Sequence, residues 1–256
     1  MILALNLGNS SIAMGVYEPD ALLFSTHFSA NLNLTDDEYA VKLHSLLQLH
    51  GVAPSEVGGA ILGSVVPALT QRLKAALQRL CPGVRVMTVG PGLKSGLPIR
   101  IDDPAQLGAE LLCGCVAARE IAAPPLVMVH VDTAISMMAV DRQGQLCGGA
   151  ILPGPQLSLD ALVRNTAQLP QVEWELPASV LGASTVASLQ AGCVLGYAAL
   201  LDGLAQRFVA RLGADTTFVA TGLLPQAIRG SCSTPMLYRP TLVLDGLYAV
   251  WKRNRK

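Results

Sequence analysis

The earliest residues whose types and spacing suit chemistry are Asn6 and the turn formed by Gly8, Asn9 and Ser10. Residues 2–5 are β-prone and residues 12–17 are apolar, so the pattern predicts a strand, a tight turn and a second strand. The tip of such a hairpin can surround phosphate oxygens with backbone N–H groups, because glycine lets the backbone approach closely. Asn6 is a neutral amide where a metal-assisted phosphate loop usually carries a carboxylate. Most Gly-Asn turns bind no ligand, so this hairpin alone leaves both interpretations open.

A second unit of the same kind lies in the other half of the chain. Residues 126–131 and 135–140 are predicted strands around the turn Asp132-Thr133-Ala134. His130 is either a hydrogen-bonded histidine at a strand end or a titrating group that faces a cleft. Asp132 lies two residues from His130 along the strand and is therefore expected to share a face with it. Two such units, one opening each half, predict a duplicated α/β architecture with a cleft between the halves.

Strand and helix patterns alternate around these two units. Thr35, followed by three acidic residues, predicts the start of a helix that Gly51 ends. The other predicted helices cover residues 68–80, 105–121, 158–169 and 241–252, and a long one runs from the cap at Ser184 and Thr185 to residue 212. The further predicted strands are residues 22–28, 60–64, 84–89, 145–152 and 216–220. The segment Ala123-Pro124-Pro125 marks the expected boundary between domains 1–122 and 123–256.

The composition bounds the class of protein. Apolar residues make up 51% of the 256 residues and charged residues 14%, which predicts a compact globular protein. The formal net charge is zero, which argues against nucleic acid or an anionic membrane as a partner. No apolar run approaches the roughly 20 residues of a membrane helix, and no signal-peptide pattern is present, so we expect a cytoplasmic protein. The six cysteines form no CxxC pair and are expected to be reduced, with no metal site.

Short motifs in a fixed order resemble the type III pantothenate kinases, bacterial enzymes that phosphorylate pantothenate at the start of coenzyme A synthesis. The motifs include NLGNS at residues 6–10, TDDEYA at 35–40, GPGLKSGLPIRIDDPAQLGAE at 90–110, GGAILPG at 148–154, GASTVASLQAGCVLGYAALLDGL at 182–204 and ATGLLP at 220–225. Each motif is weak alone, but their order and spacing over nearly the whole chain make the resemblance specific.

The resemblance implies the α/β fold of the actin-like ATPase and acetate-and-sugar-kinase superfamily, with two ribonuclease-H-like domains and ATP held in the cleft. It also implies Mg²⁺ with the ATP, a monovalent cation, and a homodimer with pantothenate near the subunit interface. By matching position, the phosphate-binding residues would be Asn6, Gly8, Asn9, Ser10, Thr133 and Gly222. The substrate-binding residues would be Gly108, Leu111, Thr166 and Thr185, and the catalytic acid would be Glu110. Asp132 is the second catalytic candidate, because it could partly take over the role of the acid that is replaced by His130.

Several matched positions depart from the family's pattern in the first half of the chain. The family's first loop reads D-x-G-N-T, and its aspartate helps place the magnesium–phosphate group. This chain has Asn6 in place of that aspartate and Ser10 in place of the threonine. The family's G-x-D-R supplies a catalytic aspartate and an arginine that grips pantothenate. The matching residues are Glu110, which keeps a longer carboxylate, and Leu111, which has no polar atom in its side chain.

Further departures lie at the segment before residue 108 and in the second half. The tyrosine that usually precedes the D-N-P-like segment is Ile101. The family's D-x-G-T-A loop corresponds to residues 130–134, and this chain has His130 in place of the aspartate and Asp132 in place of the glycine. Asp132 puts a fixed negative charge where phosphate would bind. The second glycine of the late T-G-G is Leu223, which would crowd the nucleotide.

Three hypotheses follow from a preserved scaffold with altered polar residues. In the first, the protein has lost or strongly reduced its kinase activity and binds a protein partner or a pantothenate-like molecule, with no cofactor. In the second, it is a working kinase, either slow on pantothenate with Glu110 as base, or specific for a less polar substrate. In the third, His130, Asp132 and Glu110 serve another reaction class.

Overall fold

The computed structural model describes residues 1–19 and 21–255, and two compact units divide the chain. Unit 1 comprises Met1–Leu97, Asp102–Ala117 and Thr241–Lys256, and unit 2 comprises Pro98–Ile101 and Ala118–Pro240. These limits differ from the expected domains 1–122 and 123–256 mainly in the last helix, which belongs to unit 1. Nine residues of that helix are buried, and removing their largely apolar surface from water stabilises the packing of the helix on the first sheet.

Unit 1 is built on a five-stranded sheet in the order β3-β2-β1-β4-β5. Strands β1, β2 and β3 pair antiparallel, whereas β4 and β5 run parallel to β1. Its elements are β1 (Ile2–Leu7), β2 (Ser11–Glu18), β3 (Ala21–Ser29), α1 (Asp36–Leu49), β4 (Gly59–Ser64), α2 (Pro67–Leu80), β5 (Arg85–Thr88), α3 (Ala109–Ile121) and α7 (Leu242–Asn254). Helix α3 ends in residues that belong to unit 2.

The first helix of unit 1 starts where the acidic sequence pattern predicts it. Thr35 caps α1 by accepting the Glu38 amide at 3.3 Å, and the Glu38 carboxylate accepts the Thr35 amide at 2.7 Å. Tyr39, Leu43 and Leu47 then follow one face of α1 and are fully buried. They pack with strand residues such as Leu3 and Leu5 into one apolar core, which fixes the sheet that carries the first hairpin.

Unit 2 repeats the same topology. Its five-stranded sheet has the order β10-β9-β6-β7-β8, with β6, β7 and β8 antiparallel and β9 and β10 parallel to β6. The elements are β6 (Leu126–Val131), β7 (Ala134–Val140), β8 (Leu146–Pro153), α4 (Pro155–Arg164), α5 (Thr185–Leu212), β9 (Thr217–Gly222), α6 (Gln226–Ser231) and β10 (Met236–Tyr238). The repetition confirms the predicted duplicated α/β architecture.

Some element limits differ from the sequence prediction. The helix expected over residues 105–121 is interrupted: Asp103 caps a short 3-10 helix, Pro104–Gln106, and extended Leu107 separates it from α3. The helix expected over 158–169 starts earlier, because Pro155 suits a first helical position, and ends at Arg164. Neither α6 nor β10 was predicted, since six and three residues are too few for a periodic pattern.

Helix α5 has a core face and an exposed face. Leu189, Val194 and Leu201 are buried in the core of unit 2. An 18-residue window of α5 has a mean hydropathy of 1.3, and 22% of that window is buried. By length and composition alone α5 could span a membrane, so the prediction that no stretch approaches that length is wrong for α5. Soluble core helices pass the same test.

Candidate functional site

The first hairpin of unit 1 has the geometry that its sequence predicts. β1 and β2 pair from Ile2 opposite Tyr17 to Leu7 opposite Ile12. The buried Gly8 closes the turn by donating its amide to the Ser11 carbonyl at 2.9 Å. Asn9 and Ser10 are exposed at the tip. The turn therefore presents a short polar loop to solvent from a rigid, buried strand pair.

Asn6 lies beside the start of helix α3. A Cβ placed on Gly63, its parallel partner on β4, would lie 3.5 Å from the Asn6 Oδ1 atom and 3.7 Å from the Ala109 Cβ atom. The Asn6 amide and the first residue of α3 thus approach the same glycine. Glu110 follows directly, so unit 1 brings Asn6 and the Gly108–Glu110 segment into one neighbourhood.

The first turn of α3 carries the two residues that replace the family's acid and arginine. Glu110 and Leu111 are both half-buried. Burial is the main cause of a raised pKa of the Cys113 thiol, and the nearby Cys115 and Glu110 raise this pKa further. Burial raises the pKa of Cys115 to about 12. Both thiols are therefore neutral, which fits the expected role of small apolar side chains.

The second hairpin, in unit 2, connects β6 to β7. The Asp132 amide donates to the Ala134 carbonyl at 2.9 Å, and Thr133 is exposed at the tip. Gly154, which precedes the first turn of α4, donates its amide to the Thr133 carbonyl at 2.9 Å. A Cβ on Gly154 would overlap the carbonyl oxygen of Asp132. The GGAILPG motif therefore ends on a residue that must be small to let α4 begin against this hairpin.

The turn after β9 lies at the same edge of the second sheet. Gly222 is paired with Val131 at the end of β6, and its φ of +83° lets the backbone pass the Val131 carbonyl. The Leu223 amide donates to that carbonyl at 2.6 Å, and the Tyr238 hydroxyl donates to the Gly222 carbonyl at 2.7 Å. Unit 2 thus brings Gly222 next to the Asp132-Thr133 hairpin.

A row of buried polar residues crosses the second sheet behind this hairpin. Ser136 on β7, His130 on β6 and Thr221 on β9 are in register, so their side chains share a face. All three are at most 8% exposed. This arrangement favours the interpretation of His130 as a partnered buried histidine. Ser136 was missed by the sequence analysis, although a serine inside the apolar run AISMMAV was a usable signal.

The expectation that Asp132 shares a face with His130 is not met. β6 ends at Val131, so Asp132 lies in the turn and strand alternation does not extend to it. Leu223, expected to crowd a nucleotide, is 66% exposed.

The two threonines proposed near pantothenate lie on different elements. The Thr166 hydroxyl, just past α4, donates to the Leu162 carbonyl at 2.9 Å. Thr185 is the first residue of α5, and Ser184 supplies the cap by accepting the Ala187 amide at 3.2 Å. Thr185 lines a shallow depression together with Leu169, three residues after Thr166. Each threonine therefore also has a structural role at a helix end.

The residues at the first hairpin suit phosphate better than they suit a divalent metal. Within residues 1–19 and 21–255, no group of three or more His, Cys, Asp or Glu side chains is placed to hold a metal ion. Mg²⁺ in kinase sites is usually held by one or two carboxylates together with substrate phosphates. Asn6 offers only a neutral carbonyl oxygen at this position. At this position a magnesium ion would have to take its carboxylate from a neighbouring residue such as Glu110.

Comparison with known proteins identifies relatives along the whole chain. The family model of type III pantothenate kinase matches residues 2–207. The chain is 36% identical over 256 residues to a type III pantothenate kinase of Geotalea uraniireducens (strain Rf4), and 38% identical over 255 residues to one of Anaeromyxobacter sp. (strain Fw109-5). Each alignment covers 100% of both chains.

Solved structures show the fold. The activator of the 2-hydroxyisocaproyl-CoA dehydratase from Clostridium difficile, with bound ADPNP, superposes with a TM-score of 0.53 at 12% identity, over 99% of this chain and 96% of that one. The two mixed five-stranded sheets agree with the actin-like ATPase and sugar-kinase fold, which confirms the expected fold class. With the family model covering most of its length and full-length relatives above 30% identity, the chain belongs to the type III pantothenate kinase family.

Proposed function

We propose that this family member has lost, or strongly reduced, the ATP-dependent phosphorylation of pantothenate and that it acts by binding. The observation that carries the proposal is the polar content of the neighbourhood around Gly63. Asn6 and the first turn of α3 approach each other there, as a kinase site requires, but they supply an amide and a leucine where the family has an aspartate and an arginine. The scaffold is retained, but the charges of the family's first-loop aspartate and of its arginine are not.

Each replacement at this place weakens phosphoryl transfer for a stated reason. Transfer depends on positioning and charge neutralisation, and losing a positioned acid or base typically costs about 10²–10⁴-fold in rate. Asn6 brings no charge. Glu110 keeps a carboxylate one methylene further out, and a displacement of about 1 Å can cost about 10²-fold. Leu111 leaves an anionic substrate group without its guanidinium partner.

The second hairpin adds an electrostatic obstacle. Asp132 places a carboxylate in the turn whose backbone would face phosphate, and like charges repel unless a cation lies between them. Thr133 at the tip and Gly222 nearby remain suitable for phosphate contact. We therefore expect weak nucleotide binding, with Thr133, Ser10 and the amides around Gly8 and Asn9 as the contacts that persist.

A working kinase is the second candidate, and two observations favour it. Glu110 is a carboxylate at the start of α3, beside Asn6, where a base for a substrate hydroxyl would lie. Relatives with 36–38% identity carry the name of the kinase. In that case Mg-ATP and a monovalent cation are the cofactors, and the substrate is pantothenate or a molecule whose less polar group suits Leu111.

The proposed setting is a cytoplasmic homodimer that binds pantothenate, a similar small molecule or a protein partner. The support for the homodimer is the exposed face of α5. Four small residues recur there at helical spacing: Ser188, Gly192, Gly196 and Ala199. Such a face on a long apolar helix suits close packing against a second copy of the same helix.

The first test measures nucleotide binding and turnover together. The melting temperature is recorded with Mg-ATP, with and without pantothenate, and ADP release is then followed with pantothenate present. Binding at 100 times Kd would add about 2.7 kcal/mol of stability, which is readily seen as a melting shift. We expect little shift and no pantothenate-dependent ADP release. A clear shift with turnover at the rate of the Geotalea relative would contradict the loss of activity.

Restoring the family's residues tests whether their replacement is the cause of the reduced kinase activity. The variants Asn6→Asp, Glu110→Asp, Leu111→Arg and Asp132→Gly are combined in one chain, and we expect turnover to rise by at least about 10²-fold. Leu112→Arg is the matched control, because it adds the same charge at the next half-buried position of α3. Equal activity of the restored and unchanged chains would show that these four positions do not limit the reaction.

A further inference from the structure

Unit 2 contains a surface cavity of about 710 Å³ at the turn between β7 and β8. Strand β7 runs away from the second hairpin, so seven residues separate the cavity from the phosphate-suited edge, or about 20 Å. Three arginines, an aromatic ring and a thiol are among the residues that line it: Arg100, Arg142, Arg211, Phe208 and Cys147. In a chain of zero net charge, this is a local concentration of guanidinium groups.

The three arginines differ in their ion pairs and hydrogen bonds. Arg142 is paired with Asp215 through an Nη1–Oδ2 contact of 2.9 Å. Within residues 1–19 and 21–255, the side chains of Arg100 and Arg211 form no hydrogen bond or salt bridge. The lining also contains Asp141, one of whose carboxylate oxygens accepts the Gln143 amide at 3.0 Å and the Gln145 amide at 2.9 Å. Asp141 keeps its negative charge, but the three arginines of the lining outnumber it and, among the described residues, Arg142 alone is paired with another acid.

The two unpaired guanidinium groups act on the same thiol. Residue 147 is the extra residue of a β-bulge, because Leu146 pairs with Val140 and Gly148 pairs with Ala139. A bulge redirects its side chain, and Cys147 is exposed in the cavity. Burial and Asp141 raise the pKa of this thiol, while Arg211 and Arg100 act to lower it. Arg100, Arg211 and Cys147 line the same cavity, so an anion bound there would have both guanidinium groups in its wall.

We propose that this cavity binds an organic phosphate, with its oxygens on Arg100 and Arg211 and its apolar part against Phe208. Guanidinium groups suit a phosphate because each presents paired N–H donors, and two such groups can satisfy several oxygens of one tetrahedral anion. Phe208, Leu212 and Ala139 give the rest of the wall an apolar character. The volume lies within the range of small-molecule sites. The site is separate from the proposed kinase residues and does not depend on kinase activity.

Cys147 provides a direct readout of occupancy. The unmodified full-length protein is alkylated with neutral iodoacetamide, and the Cys147 peptide is quantified by mass spectrometry against time. Inorganic phosphate and phenyl phosphate are the two probes. A bound anion shields the thiol and disfavours its thiolate, so we expect the alkylation rate to fall about tenfold at saturation. Phenyl phosphate is expected to act at lower concentration than inorganic phosphate, because only it can contact Phe208.

Matched variants separate this site from general charge effects. Arg100→Gln and Arg211→Gln should each raise the concentration needed for protection by about tenfold or more. Arg164→Gln should leave it unchanged, because Arg164 is likewise an exposed arginine in the last turn of a helix of unit 2. Melting temperatures verify that the variants are folded, and Arg211→Lys should give an intermediate result.

Three outcomes would overturn the proposal. The first is the absence of protection by either probe at millimolar concentration. The second is equal protection by chloride at the same ionic strength, which would indicate screening only. The third is equal potency of the two probes, which would remove the organic part of the ligand assignment.

Discussion

At the scale of single residues, one partly buried hydrogen bond connects positions 228 residues apart. The Tyr17 hydroxyl on β2 donates to the Asp245 Oδ1 atom on α7 at 2.7 Å, and the Thr241 hydroxyl donates to the other carboxylate oxygen at 2.9 Å. The Tyr17 ring is 3% exposed and stacks on Tyr248 with centroids 4.4 Å apart. A carboxylate placed there needs both donors, because water has limited access to it.

Tyr17→Phe removes one of these donors and keeps the ring. We expect the free energy of unfolding to fall by about 1–3 kcal/mol, since the Asp245 carboxylate is left partly unsatisfied. Urea denaturation at neutral pH measures this. Tyr248→Phe is the control: its hydroxyl donates to the Glu18 carbonyl at 3.4 Å, a long contact whose loss should cost less than about 0.5 kcal/mol. Equal losses for the two variants would contradict the assigned strength of the Tyr17 bond.

The same variant carries a prediction for alkaline pH. Burial, together with the neighbouring Asp245 charge, raises the pKa of the Tyr17 phenol far above its ordinary value. Above about pH 10 the unfolded chain releases this proton and the folded chain keeps it, so stability falls as pH rises, by up to about 1.4 kcal/mol per unit. Tyr17→Phe removes this contribution. The stability difference between the two proteins should therefore shrink between pH 10 and pH 12.

At the scale of elements, the C-terminal helix is fitted closely to the first unit. A Cβ on Gly246 of α7 would overlap the carbonyl oxygen of Cys113 on α3, so the two helix backbones are nearly in contact. Gly246→Ala should lower the free energy of unfolding by about 3 kcal/mol, because backbone cannot yield as a flexible side chain can. Gly230→Ala in α6, where an added Cβ meets nothing within 4 Å, should instead be neutral or stabilise by up to about 1 kcal/mol. Urea denaturation measures the free energy of unfolding of both variants. An unchanged value for Gly246→Ala would contradict the close packing of α7 against α3.

The elements also show what the sequence could predict and what it could not. Strands around the two hairpins and the capped start of α1 follow from local patterns, since alternation and capping residues act within a few positions. The approach of Asn6, Gly63 and Ala109 follows from the parallel pairing of β1 with β4, which no local pattern encodes. The arginine cavity joins residues 100, 142 and 211, so its members had no common signal in the sequence. The place of α7 in the first unit depends on tertiary packing in the same way.

At the scale of the whole molecule, helix α5 exposes a face of small and apolar residues that a single chain leaves uncovered. It has 28 residues, and its exposed face carries Ser188, Gly192, Gly196 and Ala199, where a Cβ on either glycine would meet nothing within 4 Å. Leu200 and Val186 flank this face and are 38% and 45% exposed. Small residues at this spacing let a second helix approach closely, and the flanking apolar side chains would then be removed from water.

This face is predicted to be the contact between two copies of the chain, and a charge placed on it should separate them. Gly196→Arg adds a long, charged side chain that a folded single chain has room for, so we expect a shift from dimer to monomer in light scattering after size exclusion. The melting temperature should lose its dependence on protein concentration, because mass action no longer favours the folded pair. Val41→Arg is the control, since Val41 is a 66% exposed apolar residue on α1 of unit 1. A dimer that survives Gly196→Arg, or one that Val41→Arg also disrupts, would move the contact away from α5. A wild-type chain that is monomeric at all concentrations would remove the homodimer from the proposed function while leaving the family and the fold unchanged.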